Sequence, residues 1–388
     1  MKPSKWILPV IVISQFCGTS LWFAGNGIMK SIVHEFHLSS NVLGPLTSSV
    51  QFGFIIGTLA FAIFTISDRF KPSVVFFISA ILGGLFNLGI AIEGNTLFSL
   101  MVLRFLTGFF LAGIYPVGMK IASDYYKEGL GLSLSFLVGA LVLGTAFPHL
   151  LNDLVGEFNW ENVLYGTSGI SLIGGILIVS IVGDGPHRVA GKGFDFAAWS
   201  RVFKNKKFRS AAFGYFGHMW ELYAFWAFIP AVLALYQKEH SFYEIDTPLL
   251  SFLAIGIGFI GCITGGYISK ALGVKKTATW ALTISGLCCL ISPLVFFSGS
   301  TPLLLIFLAI WGMAVIADSP LFSTMVAQNC DPEIRGTALT IVNCIGFAIT
   351  IFSIMLLNQL TPEFNSYYLF TLLAIGPVFG VIGLLSKP

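Results

Sequence analysis

The chain has 388 residues, 56% of them hydrophobic and only 10% charged, with a mean hydropathy of +0.87 and a net charge of +3. Soluble domains carry roughly 25% charged residues, so this composition excludes a soluble globular protein and indicates an all-α integral membrane protein. The small net charge says little, because the placement of the charges matters more than their sum.

The first residues, Met1-Lys2-Pro3-Ser4-Lys5, precede an apolar run and have the outline of a signal peptide. The run continues to about Met29 without a small-residue cleavage site, so it reads as a retained first span. A span needs about 20 apolar residues. Twelve are expected, at roughly 6–29, 43–66, 73–93, 98–122, 131–152, 163–183, 209–236, 247–269, 276–298, 302–328, 336–358 and 366–386. The one long polar connection lies between spans six and seven and carries Arg188, Lys192, Arg201, Lys204, Lys206 and Lys207. This gives an N-terminal six-helix bundle over 1–184, a cytoplasmic linker over 185–208 and a C-terminal six-helix bundle over 209–388.

Lys and Arg set the orientation. With the N-terminus inside, Lys2, Lys5, Arg69, Lys71, Lys127, the linker's basic residues, Arg209, Lys270, Lys275, Lys276, Arg335 and Lys387 all face the cytoplasm. The opposite side holds Lys30 and Lys238 with the acidic Glu35, Asp153, Glu157, Glu161, Glu239, Glu244 and Asp246. Both termini are therefore expected to be cytoplasmic in a multi-pass cell-membrane protein. Cys17, Cys262, Cys288, Cys289, Cys330 and Cys344 have neither disulfide nor metal spacing and read as small, reduced packing residues.

The two halves repeat. Span two ends in Ile66-Ser67-Asp68-Arg69-Phe70-Lys71, and span eight ends in the stretch from Gly265 to Lys276. Ala112-Gly113-Ile114-Tyr115-Pro116 in span four matches Val315-Ile316-Ala317-Asp318-Ser319-Pro320 in span ten. Gly131 and Gly336 follow at similar distance, and Ser20-Leu21-Trp22 can be laid on Glu221-Leu222-Tyr223. Parallel repeats of six spans are a transporter architecture in which substrate binds near the midplane at the repeat interface.

On these residues the chain resembles the major facilitator superfamily, with its twelve helices in two pseudo-symmetric six-helix bundles. Asp68-Arg69-Phe70-Lys71 resembles that superfamily's turn between helices 2 and 3, and Gly265 to Lys276 its second-half copy. Arg104-Phe105-Leu106-Thr107-Gly108, with Gly113 and Pro116, resembles its helix 4 motif. Two departures are Phe64, where glycine is usual, and Ser269-Lys270 in place of an acidic–basic pair. The stretch from Arg104 to Tyr126 and the Ala-Asp-Ser-Pro of span ten also look like bacterial porters grouped with nitrate carriers. Spans two and eight lack the arginines of those carriers, which disfavours nitrate. Gly139, Gly144 and Pro148 match only part of the exporters' helix 5 motif.

The candidate chemistry lies in span seven. His218 and Glu221 are three apart and share a helix face with Tyr215, Leu222 and Phe225. Measured from Arg209 they lie roughly 13 and 18 Å deep, near the middle of an apolar layer about 30 Å thick. Ionisable groups at that depth are costly and mark ion or substrate paths; the alternative is a structural hydrogen bond between helices. Asp318, just before Pro320, is expected at a kink with a freed carbonyl; it either joins the coupling site or caps the broken helix. Arg104 either attracts an anionic substrate or snorkels as a structural residue. Gln15, Thr19, Ser20, Trp22 and Asn26 of span one, Tyr215, and Asn343 of span eleven are candidate cavity-lining residues, or interhelix contacts. Gln15, Thr19 and Trp22 share a face at helical spacing. Asp68, Arg69, Lys71 and Asp124 are the candidate cytoplasmic gate. The resemblance implies that Asp68 meets the N-terminus of helix 11, and spacing puts Asp124 within reach of Lys120 or Arg69.

The expected function is proton-coupled secondary transport of a small solute, an organic anion among the options, by alternating access. The alternatives are a proton-antiporting drug or metabolite exporter and an uncoupled uniporter or anion exchanger. There is no GxxxxGK[ST] loop for ATP drive, no HExxH and no GxSxG elbow, so an enzyme is not expected. No cofactor, metal or nucleic-acid partner is expected; the partners are the substrate, protons and the bilayer, with the chain a monomer.

Overall fold

The computed structural model describes residues 4–126, 130–156, 159–188, 193–195, 197–240, 245–361 and 366–386. Lys2, Lys127, Lys192, Lys387, Glu157 and Glu244, used above for orientation, lie outside them. The described residues are almost wholly helical. Eleven helices are long and apolar enough to cross a membrane. They are α2 (Leu43–Ile63), α3 (Pro72–Ala91), α4 (Leu97–Tyr125), α5 (Gly131–Val155), α6 (Glu161–Val182), α7 (Lys206–Glu239), α8 (Thr247–Leu272), α9 (Val274–Phe297), α10 (Thr301–Gln328), α11 (Arg335–Leu360) and α12 (Tyr367–Leu385). A shorter apolar helix, α1 (Ile7–Thr19), precedes them.

Local signals explain where these helices start. Thr96 and Ser99 form a reciprocal capping box at α4. Asn205 accepts from the N–H groups of Lys207 and Phe208 and so begins α7 three residues before Arg209. Asp246 caps α8 through Leu249 N–H, at 2.9 Å. Prolines sit in the first turns of α3, α8 and α10, where a missing N–H costs nothing.

The first span departs from the expectation of an unbroken helix over 6–29. α1 stops at Thr19, a turn follows, and the chain resumes in the short helices Ala24–Gly27 and Met29–Glu35. Trp22 therefore stands in the turn and does not continue the α1 face of Gln15 and Thr19. The Ser20 hydroxyl donates back to Cys17 O, and Gly25 and Gly27 weaken the helix beyond. Beyond the turn, Ala24, Ile28 and Ile32 pack with Leu46, Ile90, Leu100 and Trp160 into one apolar cluster.

The chain forms two compact units, Met1–Phe196 and Ala197–Pro388. Each repeats the same packing. In the first, α1 packs on α5 and α6, α2 on α4, and α3 on α6; in the second, α7 packs on α11 and α12, α8 on α10, and α9 on α12. Glycines set the closest crossings. A Cβ on Gly108 would lie 2.1 Å from Val50 O, and one on Gly53 would lie 1.9 Å from Phe105 O, so α2 and α4 meet backbone to backbone. α8 and α10 do the same at Gly261 against Met313 O and Gly312 against Ala254 O. Lipid is as apolar as the side chains, so helix association rests on such contact.

Both units break the same helix. α4 is interrupted at 112–114 and restarts at Tyr115 with Pro116 in its first turn; α10 is interrupted at Asp318 and restarts at Ser319 with Pro320. Gly108 and Gly312, and Pro116 and Pro320, are offset by the same number of residues. Pro320 cannot bond the carbonyl one turn back, that of Ile316, and the Cys262 thiol lies 3.7 Å from it. Cys262 thus has a polar role beside its packing one.

Candidate functional site

The break in α10 brings Asp318 to α7. His218 Nδ1 lies 2.8 Å from Asp318 Oδ1, and each side chain is 1% exposed. Asp318 stands at the head of Ser319–Gln328 but makes no capping bond there, so its carboxylate is committed sideways to the imidazole. Tyr215 and Phe322 flank the ring, with centroids 6.0 and 6.1 Å from it. His218 Nε2 is buried without a hydrogen-bond partner. A buried carboxylate is costly without a partner, and the imidazole in this contact supplies one.

Glu221, one turn on, points elsewhere. Its Oε1 accepts from Trp311 Nε1 at 2.7 Å, from Cys289 Sγ at 3.2 Å and from the Ser285 hydroxyl. Three donors from α9 and α10 thus converge on one oxygen of a side chain that is 1% exposed. Phe225 packs against Trp311 with tilted rings, centroids 4.6 Å apart. His218 and Glu221 therefore belong to two neighbouring clusters. Ser285, Cys289 and Trp311 were not singled out in the sequence. A hydroxyl, a thiol and an indole in apolar helices look like packing until the carboxylate is placed beside them.

In the first unit, Arg104 is 2% exposed and reaches the turn after α1. Its guanidinium donates to Leu21 O at 3.1 Å and to Trp22 O. Those carbonyls follow the helix's C-terminal end, where a cation is favoured. Of the span-one candidates, Trp22 donates to Gln51 Oε1 (3.3 Å) and Asn26 to Thr47 (2.8 Å). Thr19 and Ser20 donate to Gln15 O and Cys17 O of their own helix. Gln15 is fully buried against Gly118, with neither amide atom hydrogen-bonded. The Gln51 amide nitrogen is likewise buried and unpaired. Gln51 is a polar site that the sequence reading passed over, because one glutamine inside α2 carries no spacing signal. Tyr215 is buried on α7 and Asn343 is partly exposed on α11.

The turn after α2 is tied at its own end of the first unit. Lys120 Nζ pairs with Asp68 Oδ1 at 3.0 Å. Arg188 donates to the carbonyls of Asp68 (3.0 Å) and Phe70 (2.8 Å) and pairs with Asp184 (3.2 Å). Ser73 donates to the other Asp184 oxygen. The Asp124 carbonyl accepts from His187 N–H at 2.9 Å. Arg69 is exposed, and Lys71 precedes the first turn of α3. Asp184 and Arg188 thus join Asp68 and Lys120 as a brace that sequence spacing could not reveal across more than a hundred residues.

Among the described residues, eleven membrane-length apolar helices and one shorter one, with the buried His218–Asp318 pair at a helix break, mark a polytopic membrane protein. A profile of the Major Facilitator Superfamily matches residues 11–354, and the chain belongs to that family. Among solved structures, that of the nucleoside transporter NupG superposes with a TM-score of 0.73 over 98% of this chain and 99% of that one, at 14% identity. Among curated proteins, the 4-hydroxybenzoate transporter PcaK of Pseudomonas aeruginosa is 28% identical over 180 residues, 46% of this chain and 38% of that protein. The multidrug transporter mdrA of Aspergillus fumigatus is 29% identical over 163 residues, 41% of this chain and 26% of that protein. The probable galactarate/D-glucarate transporter GudP of Bacillus subtilis is 27% identical over 175 residues, 42% of this chain and 38% of that protein. The chain thus spans well under half the length of these relatives.

Proposed function

We propose that this protein is a proton-coupled secondary transporter of a small organic anion, with His218 and Asp318 as the proton-exchanging pair. The observation that carries the reading is their 2.8 Å contact at 1% exposure, beside a proline break in α10. An imidazole can gain and release a proton, and beside a buried carboxylate the proton's presence decides the local charge. A helix break supplies the element whose movement changes what that pair faces. Glu221 serves this site by fixing α7 to α9 and α10. Gln15 and Gln51 offer buried amide donors to a substrate's carboxylate or hydroxyl groups. Both termini face the cytoplasm, Asp68, Arg69, Lys71 and Asp124 form the gate there, and the protein works as a monomer by alternating access.

The organic-anion reading draws on relatives named for 4-hydroxybenzoate and glucarate transport. Relatives named for multidrug transport favour the second reading, a proton-antiporting exporter. Purified protein in liposomes decides between them. With an acid-outside pH gradient, uphill uptake of labelled 4-hydroxybenzoate or glucarate is expected. Uptake that ignores the gradient would overturn the coupling. Gradient-driven movement of a cationic dye in the opposite direction, with neither acid transported, would favour the exporter.

A further inference from the structure

At the end of the second unit, four basic side chains border one cleft of about 560 Å³: Lys206, Lys207 and Arg209 from the start of α7, and Lys275 from the start of α9. No acidic side chain lines it among the described residues. The Arg209 guanidinium is anchored by one bond to Phe203 O at 3.1 Å, which holds it at the rim. Ser210, also in the lining, is 8% exposed, and its hydroxyl is buried without a hydrogen-bond partner. A buried polar group without a partner costs free energy unless something satisfies it. Four like charges around one cleft repel each other unless an anion joins them.

The lining also holds the apolar Phe213, Val274 and Met325, beside the polar Gln328, Asn329 and Ser386. Phe213 lines it one turn deeper and is 47% exposed. Phe213 packs at Gly383 of α12, whose neighbours Ile382 and Leu385 are 60% and 67% exposed. An occupant therefore meets cations and a hydroxyl together with apolar side chains.

We propose that this cleft binds an anionic phospholipid, with the phosphodiester against Lys206, Lys207, Arg209, Lys275 and the Ser210 hydroxyl, and an acyl chain along Phe213. Basic pockets between helices at a membrane face suit such headgroups. A free phosphate shares the headgroup chemistry but gains nothing from the apolar side chains. The site lies apart from His218 and Asp318 and stands independently of the transport reading.

The full chain in detergent is titrated with short-chain phosphatidylglycerol, with phosphatidylcholine of equal chain length and with inorganic phosphate, following thermal unfolding. Phosphatidylglycerol is expected to raise the melting temperature saturably, by mass action. The other two should leave it unchanged at the same concentrations. Lys207→Gln and Lys275→Gln should each raise the half-saturating concentration about fivefold, as each removes one charge near the headgroup. Ser210→Ala should weaken the effect without lowering lipid-free melting, since it removes a hydroxyl that lacks a partner there. Equal stabilisation by phosphatidylcholine would overturn the headgroup assignment. Saturation by inorganic phosphate at the same concentration would make this a soluble-anion site, and undiminished lipid binding by all three variants would place the lipid elsewhere.

Discussion

At the scale of residues, substitutions separate proton exchange from bracing. Asp318→Asn keeps the shape but cannot trade the proton with His218. It is expected to abolish accumulation driven by a pH gradient while leaving counterflow exchange measurable. Gradient-driven uptake at the wild-type rate would refute the exchange role. Glu221→Gln retains an oxygen acceptor for Trp311, Cys289 and Ser285, so melting should change little; Glu221→Leu orphans donors worth about 1–3 kcal/mol each and should lower the melting temperature sharply. Arg104 makes the same kind of test. Bonds from a charged group contribute about 1.5–3 kcal/mol each, and Arg104→Gln loses the charged fork to Leu21 O and Trp22 O. The expected result is a lower melting temperature in the absence of substrate. A change confined to the KM for an anion would instead mark Arg104 as a substrate contact. His218 and Glu221 could be singled out from sequence because ionisable groups in an apolar span stand out. Their separation into two clusters could not, since it depends on which neighbouring helices supply Asp318 and Trp311.

At the scale of elements, turns and crossings carry the testable consequences. Thr65 follows α2 with φ +52°, a left-handed conformation that a β-branched residue adopts at a cost. The equivalent turn after α8 uses Gly273 at φ +86°. The usual penalty is about 1–2 kcal/mol, and glycine loses about 0.5–1 kcal/mol of chain entropy. Thr65→Gly should therefore stabilise the protein by roughly 0.5–1 kcal/mol, read as a raised melting temperature, while Thr65→Ala should not. Gly108→Val places a side chain where Val50 O already sits, 2.1 Å from the Cβ position. It is expected to eliminate monodisperse protein on size-exclusion chromatography, because α2 and α4 cannot separate without losing their contact. The proline before each lower limb of α4 and α10 was legible as sequence. The interruption after Thr19 was not, because the apolar run continues through it and the Arg104 that satisfies its carbonyls comes from another helix, more than eighty residues away.

At the scale of the whole molecule, the asymmetry of Lys and Arg predicts the topology. A reporter active only in the cytoplasm should report when fused after Lys204 or at the C-terminus, and remain silent when fused at Gly94; activity at Gly94 would refute cytoplasmic termini. Composition alone fixed the solvent of this protein, since an almost uncharged apolar chain has no other stable home than a bilayer. Apolar runs of bilayer length marked eleven of the spans, and the turn at Asp68–Lys71 with the Arg104–Gly108 stretch pointed to the family. These are properties of local stretches, and each stretch carries its own signal. Tertiary structure decided which polar groups meet: Asp318 with His218, three donors with Glu221, Arg104 with a broken helix, and Lys120 with Asp68. Such pairings are set by helix rotation and depth, to within a few ångströms. A hydrophobic pattern specifies only that a face is buried, never which partner it is buried against.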